Sequence, residues 1–583
     1  MAPCPVRDTR PASRPHPGEY PARLPWASWK RTEVNVGTAT GAQLLVRMLK
    51  AEGVRHLFTL SGLHIAPIYA ACVEEGIAIV DTRHEQAAAH AADATARLTR
   101  GIGVCAVTAG PGVTDALTGI ANAYAASSPV LLLGGAAPSF NAGKGSLQEM
   151  EQVDLFTRIT KWSDRIPSPD RVPTYLAKAF RTMLTGRPGP VFLEVPWDVL
   201  SNGVEESEAP LPVSYRTRAR QPGDPAFVDR AGELLSASAR PVIVAGSSIH
   251  WDDAAAPLAA FAERLGAPVY LNGAGRGCLP ADHPHFFSQT RKDALGEADV
   301  VVIAGTPLDF RLGYGAGIAE TAKIVQIDSD GAEIGRNRAV DVGIVGDSRS
   351  VLEQLAAAIA KRRRGDGWLR DLRGREKEKA ARQAAYERSD QVPIHHFRLA
   401  RELDAVAHDA GDSMFVADGG NWVAIAAKVI ALRKPGRWLD PGPLGCLGVG
   451  APFGIAAKLL HPDRPLFVIQ GDGSFGFNGM DFDTALRFRL PMVVVVGNDA
   501  AWGQIRLPQV QLFGPEKSPA TQLAPTRYDK VIEALGGHGE HVTEPARIRP
   551  ALERAVQSGT VACVNVVLDP EAPAASGAQG YAI

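Results

Sequence analysis

Two aspartates 27 positions apart, Asp472 and Asp499, stand where buried apolar runs give way to glycine-rich turns. The first follows the apolar run 466–471 in Gly471-Asp472-Gly473-Ser474. The second follows 492–496 in Gly497-Asn498-Asp499. Hard carboxylate oxygens delivered by two strand ends suit Mg2+, which also takes oxygens from a bound phosphate. Glycines beside them let backbone N–H groups approach such a phosphate closely. A third acid, Glu85 of Arg83-His84-Glu85, opens an alanine-rich stretch. A carboxylate there either complements a helix dipole or, in apolar surroundings, does acid–base work. Thr108-Ala109-Gly110-Pro111-Gly112 forms a tight loop, with Thr114 and Asn122 on the stretch after it. Taken singly, each of these short motifs also reads as a plain turn.

Alternating strands and helices must position these groups. Residues 41–52 form an amphipathic stretch that runs into a strand at 54–60. A strand at 77–81 precedes a helix at 85–97. Strands at 103–108 and 130–134 flank a helix at 113–126, and 189–195 closes the unit. After a polar, proline-containing stretch near 201–225 the alternation restarts. Strands fall at 241–246, 268–271, 300–305 and 323–328, with helices at 254–265 and 348–360. A charged segment, 361–388, reads as a solvated helix and linker. The third block, from about 392, carries strands at 413–418, 466–471, 492–496 and 563–568. Strands separated by helices of 10–15 residues predict βαβ units and parallel sheets. The expected fold is α/β: three consecutive doubly wound parallel-sheet domains at 37–205, 225–360 and 390–570. Residues 1–36 read as a loose arm or an over-extended start, and 571–583 as a loose tail or a lid.

Composition removes other classes. In 583 residues, 62 basic side chains face 63 acidic ones, which excludes a counterion-displacing nucleic-acid surface. No apolar run reaches the roughly 18–20 residues that span a bilayer, so no membrane partner is expected. Six scattered cysteines without a CxxC pair form neither a zinc ribbon nor a disulfide framework, and fit a reduced, cytoplasmic setting.

Taken together the motifs carry more than they do singly. The segments DTRHEQAAAHAADATARLTRGIGVCAVTAGPGVTDALTGIANA, RWLDPGPLGCLGVGAPFGIAAK and GDGSFGFNGMDFDTALRFRLPMVVVVGNDAAWGQI resemble the thiamine-diphosphate enzymes of the acetolactate synthase and benzaldehyde lyase group. The resemblance runs from about Thr38 to the end of the chain. Asp440-Pro441-Gly442, Gly497-Asn498-Asp499 and 304–315 bring it nearest to the acetolactate-synthase-like 2-hydroxyacyl-CoA lyases of that group.

The resemblance implies roles. Glu85 would hydrogen-bond the aminopyrimidine and favour the tautomer that deprotonates thiazolium C2. Leu447 would be the bulky apolar residue beneath the bent cofactor. Gly420, Asn421 and Trp422 would form the diphosphate loop, with Gly473 and Ser474 beside it. Asp472, Asp499 and the carbonyl of Ala501 would hold Mg2+, although the family usually has Asn where this chain has Asp499. His64 would face the reacting carbon, Gln148 would be the family glutamine near the cofactor, and Trp502 and Gln504 would line the pocket. Pro441 stands where benzaldehyde lyase has its second active-site histidine, which counts against that activity. Implied cofactors are thiamine diphosphate and Mg2+; the central domain, near Gly305 and Asp328-Ser329-Asp330, would hold either FAD, the less favoured occupant, or the nucleotide part of CoA. That block lacks GxGxxG, which disfavours NAD. The substrate would be an acyl-CoA or a 2-oxo acid, and the reaction carbon–carbon cleavage or ligation. Leading is cleavage of a 2-hydroxyacyl-CoA to an aldehyde or ketone plus formyl-CoA. Acetolactate synthesis from pyruvate and a benzaldehyde-lyase-like carboligation are the alternatives. A homodimer is the minimum unit implied, and a homotetramer the expected assembly.

Overall fold

The computed structural model describes residues 37–359 and 366–572. The expected arm at 1–36 and the tail from 573 onward lie outside the described residues.

Three parallel sheets follow one another along the chain. The first runs, in spatial order, Ala78–Asp81, His56–Thr59, Gly103–Val107, Val130–Ala136, Val191–Pro196 and Trp162–Arg165. The central sheet runs Val269–Leu271, Pro241–Ala245, Val300–Ala304, Lys323–Asp328 and Val342–Val345. The third runs Trp438–Leu439, Met414–Asp418, Leu466–Gly471, Met492–Asn498, Val561–Val567 and His538–Val542. Central strands such as Met492–Asn498 are buried along their whole length, as helices on both faces require.

Each sheet reverses its winding after its first two strands. In the first, the chain moves outward from His56–Thr59 and returns to its other side at Gly103–Val107. In the third, the same reversal separates Met414–Asp418 from Leu466–Gly471. In the central sheet it separates Pro241–Ala245 from Val300–Ala304. The crevice beyond the carboxyl ends at such a reversal is where these folds bind ligands. It is there that the sequence places Gly62 to His64 and Thr108, Gly419 to Asn421 and Asp472, and Gly305.

The alanine-rich helix Glu85–Thr99 is buried nearly all round. Its small side chains let helix Pro111–Ala125 approach so closely that a Cβ on Gly119 would lie 2.5 Å from that of Ala89. One apolar cluster continues through this helix into Gly450–Leu460 of the third domain.

Four short edge or terminal strands carry too little periodicity to be read from sequence: Trp162–Arg165, Val342–Val345, Trp438–Leu439 and His538–Val542. A fifth, Gly203–Glu205, pairs antiparallel with Thr38–Thr40 inside the stretch expected to be a polar connection. The charged segment also differs from expectation. Helix Asp366–Glu387 docks on the central domain instead of lying free in solvent. Trp368 and Leu372 are buried, and Glu376 accepts hydrogen bonds from the backbone N–H groups of Ser288, Gln289 and Thr290 at 3.1, 2.7 and 2.8 Å.

Candidate active site

The first half-site forms at the reversal of the N-terminal sheet. His84 caps helix Glu85–Thr99, its Nδ1 accepting from the N–H of Gln86 at 3.1 Å. This fixes Glu85 at the first helical position, where it is 7% exposed. Burial, with Asp115 adding its negative charge, pushes the Glu85 carboxyl above the usual carboxylate range. A carboxyl so poised shares a proton readily with a nitrogen base. Gly112 keeps the space in front of it open: a Cβ there would lie 2.9 Å from Thr108 Cγ2 and 3.2 Å from Glu85 Oε1.

Thr108 ties the rest of this half together. Its hydroxyl lies 2.9 Å from His64 Nδ1 and donates to Gln148 Oε1 at 3.3 Å. His64 sits in the one-turn segment Leu63–Ile65, and burial lowers its pKa, so a neutral imidazole is favoured. Gln148 has a left-handed backbone, φ 62°, and packs under Gly110. Thus Glu85, His64 and Gln148 gather around a single threonine, whose linking role the loop motif did not disclose.

The second half-site forms at the reversal of the third sheet. Asp472 begins helix Asp472–Asn478, and Asp499 follows strand Met492–Asn498. The N–H of Ala501 donates to Asp472 Oδ2 and to Asp499 Oδ1, each at 3.2 Å, and so holds the two carboxylates side by side. Ala500 is forced to φ 51° to present that N–H. Burial raises Asp472 to about 6, and burial with the neighbouring Asp472 charge raises Asp499 to about 7. Two hard carboxylates that repel each other in a partly dry site suit a divalent cation. The glycines around them are steric necessities. A Cβ on Gly419, at φ 127°, would lie 2.6 Å from Ser474 Oγ, and one on Gly473 2.5 Å from the Trp502 ring. Asn421 Oδ1 is buried there without a partner among the described residues. An orphaned polar atom beside a side-chain-free backbone cradle and a carboxylate pair fits a diphosphate with its cation.

Gln504 packs against Gly420, and Leu447 lies half-buried in the loop that follows Asp440-Pro441-Gly442. Trp422 departs from expectation. Its indole is in the core of the third domain, where a Cβ on Gly497 would meet it at 2.7 Å, so the side chain does not line the cradle. Asp418 and Gln470 were not singled out from sequence. The Asp418 carboxylate accepts from the N–H groups of Gly448 and Gly450 at 3.0 and 2.8 Å and from Gln470 Nε2 at 2.9 Å. The signal was present: like Asp472, Asp418 ends an apolar strand just before glycine.

A fold of three reversing parallel sheets, with an acidic residue at a helix start on one and a carboxylate pair beside a glycine cradle on another, defines an enzyme that grips a two-ended, diphosphate-bearing cofactor. Comparison with known proteins specifies which. Residues 39–155, 228–355 and 418–566 match the N-terminal TPP-binding, central and C-terminal TPP-binding domains of thiamine pyrophosphate enzymes. A probable acetolactate synthase of Mycobacterium bovis is 40% identical over 534 residues, spanning 91% of this chain and 96% of its own. The 2-hydroxyacyl-CoA lyase 2 of Caenorhabditis elegans is 38% identical over 554 residues (86% and 84%), and that of Homo sapiens 35% over 577 (91% and 90%). The chain belongs to the thiamine pyrophosphate enzymes, and it is a thiamine-diphosphate-dependent carbon–carbon lyase or ligase.

Proposed function

We propose that this enzyme cleaves a 2-hydroxyacyl-CoA to an aldehyde or ketone and formyl-CoA. The observation that carries this reading is a cavity of about 1160 Å³ between the central and third domains. Arg276, Arg291, Lys292, Lys379, Arg382 and Lys428 line it, and among the described residues no carboxylate does. Tyr270, Phe286 and Phe287 add aromatic surface. Helix Asn421–Val429, which begins at the Gly420 loop, contributes Ala424, Ala427, Lys428 and Val429 to the wall. A cationic, aromatic-lined space of this size suits the nucleotide and phosphates of an acyl-CoA. Pyruvate, with one carboxylate and three carbons, uses little of it. Acetolactate synthesis stays as the second reading because of the Mycobacterium bovis relative.

When bound, thiamine diphosphate supplies a carbanion that makes and breaks the bond next to a carbonyl. Glu85 would hold the proton at its aminopyrimidine, and Leu447 would support its bend from below. Asp472, Asp499 and the Ala501 carbonyl would hold Mg2+ against its diphosphate. His64 and Gln148, linked by Thr108, would orient the substrate oxygen.

The two half-sites belong, in this reading, to different subunits. The backbone N–H of Arg83, two residues before Glu85, donates to Asp481 Oδ1 of the same chain at 2.8 Å. Asp481 lies beyond the far end of the helix that Asp472 begins, a helix of seven residues and about 10 Å. Exposed Leu63, Phe140 and Leu147 rim one half-site, and Phe477, Leu512 and Phe513 rim the other region. Large apolar side chains exposed in such number near a site favour an association surface. A homodimer, assembled further into a tetramer in the cytoplasm, is the expected form; among the described residues no helix is long and apolar enough to cross a membrane.

The test is incubation with a 2-hydroxyacyl-CoA and chromatography for formyl-CoA, beside an assay of acetolactate from pyruvate. Formyl-CoA release with poor pyruvate turnover supports the reading. Rapid acetolactate formation without formyl-CoA overturns it in favour of the second.

A further inference from the structure

We propose that Asp418 is the positioning residue of the cofactor cradle, one carboxylate that sets the diphosphate loop, the Leu447 loop and the Asp472 strand relative to one another. Asp418 is fully buried and is the last residue of its strand, directly before Gly419 and Gly420. Its Oδ1 accepts from the N–H of Gly448, the residue after Leu447. Its Oδ2 accepts from the N–H of Gly450 and from Gln470 Nε2. Gln470 is two residues before Asp472 on the neighbouring strand. The three donors thus come from both segments that converge with its own at the winding reversal of the sheet.

The geometry leaves little slack. Gly448, at φ 88°, would place a Cβ 2.7 Å from Phe477 Cβ and 2.9 Å from Asn478 Nδ2, and Asn478 Nδ2 donates to the Gly448 carbonyl at 2.8 Å. A Cβ on Gly450 would lie 2.9 Å from Gln470 Nε2 and 3.0 Å from Asp418 Oδ2. Of the two glycines that follow Leu447, Gly448 is therefore pressed onto Phe477 and Asn478, and Gly450 onto the Asp418–Gln470 pair. Leu447 itself makes none of these hydrogen bonds; its height under the cofactor follows from how the carboxylate holds the two N–H groups just after it. A carboxylate satisfies three donors at once, whereas an amide at the same position would turn an N–H toward Gly450 or Gly448 and leave donors facing each other.

Asp418→Asn, which keeps the shape and removes one acceptor, tests this with the full-length protein. Hydrogen exchange by mass spectrometry, on protein freed of cofactor, should show faster exchange in peptides covering 442–450. Peptides covering strand Pro241–Ala245 should stay unchanged. Titration with thiamine diphosphate at saturating Mg2+ should show at least about a tenfold weaker dissociation constant, equivalent to about 1.4 kcal/mol. Exchange of C2–H at full saturation should also slow. A residue that merely stabilises the fold would lower the melting temperature and leave saturated C2–H exchange at the wild-type rate, and that outcome overturns the proposal. If Asp418→Asn does not fold, Gln470→Met removes one donor and keeps the carboxylate. It should shift the same three readouts in the same direction by about two- to fivefold, and wild-type values in it overturn the proposal. None of these readouts uses an acyl-CoA, so they stand apart from the substrate assignment.

Discussion

Asp499 puts a second negative charge where its family resemblance leads one to expect an amide, and the consequence is measurable in protein stripped of metal. Asp499 titrates near 7 against an ordinary value of 3.8, through burial and the adjacent Asp472 charge. Because the folded pKa is raised, the folded state holds its proton longer than the unfolded state. Stability therefore falls as pH climbs from about 4 to about 7, and the full cost remains above that. Roughly three pH units at about 1.36 kcal/mol each set an upper bound of about 4 kcal/mol. Asp499 is only partly buried, and screening by water brings the expected cost to about 2 kcal/mol. Asp499→Asn removes the charge and keeps the shape.

At about pH 8 with a chelator present, the variant should therefore unfold at a higher temperature. For a unit of about 150 residues, each kcal/mol moves the midpoint by roughly 2–4 °C, so a gain of about 4–8 °C is expected. At about pH 5 only about a third of that gain should appear, since Asp499 is then mostly protonated in the folded wild type. Adding Mg2+ should reverse the order, because the wild type offers the ion two charged oxygens and the variant one. Scanning calorimetry at the two pH values, with and without Mg2+, reads all three differences. An unchanged metal-free midpoint at pH 8, or a larger gain at pH 5, would refute the electrostatic account of this pair.

Glu85→Gln should keep the fold and the cofactor but slow C2–H exchange by about 10²–10⁴-fold, since an amide cannot share the pyrimidine proton; wild-type exchange would remove Glu85 from the mechanism. Asp472→Ala should lose thiamine diphosphate on gel filtration in Mg2+ buffer, and stoichiometric retention would show that the cation is held elsewhere. Gly112→Ala should weaken activity through the Glu85 carboxylate, because its Cβ would fall 3.2 Å from Glu85 Oε1; an unchanged C2–H exchange rate would mean that the carboxylate moves aside freely. Lys428→Glu should raise KM for a 2-hydroxyacyl-CoA at least about tenfold, with kcat for pyruvate unchanged, and equal KM values would exclude the cationic cavity from substrate binding.

The strands and helices around the chemistry were legible because parallel sheets covered on both faces read as apolar runs, and strand ends announce themselves as Gly-Asp, Gly-Asn or Asp-Gly. Met414–Asp418, Leu466–Gly471 and Met492–Asn498 are such cases. The edge strands were not: Trp162–Arg165 is only half-buried and carries three polar residues in four, so neither apolar alternation nor an apolar run marks it. The charge on helix Asp366–Glu387 misled for another reason. Arg373, Arg375 and Glu376 are spent on the central domain's backbone and carboxylates, and composition alone does not distinguish charges facing water from charges facing a neighbour. Trp422 shows the same limit at the site. Its place directly after Gly420-Asn421 suits a cofactor contact, yet one further residue of helix turns a side chain by about 100°, and in this chain that turn sends the indole onto Gly497. Asp418 was missed although it ends an apolar strand before glycine, because its partners are backbone N–H groups 30 and 32 positions away, a pairing that sequence does not mark.

What joins the two half-sites within one chain is the helix that Glu85 begins. Three turns on, Arg97 pairs with buried Asp93, and its guanidinium donates to the Asp440 carbonyl at 2.6 Å and to the Pro441 carbonyl at 3.3 Å. Asn122 completes the Asp93 shell, and the Arg97 carbonyl accepts from His250 Nε2 of the central domain at 2.7 Å. His250 is held neutral by burial, with a pKa near 4, so this contact keeps its form at any pH at which the protein works. A buried guanidinium with every neighbouring acceptor filled is costly to rearrange. It therefore acts as a rigid strut between the turn carrying Glu85 and the loop that leads from Asp440-Pro441-Gly442 into Leu447. The Arg83–Asp481 hydrogen bond braces the other end of the same helix against the third domain. The position of Glu85 and the position of Leu447 are thus settled by one continuous set of contacts, so a larger side chain in place of a buried alanine of this helix would disturb at once the halves that one chain gives to two cofactor sites.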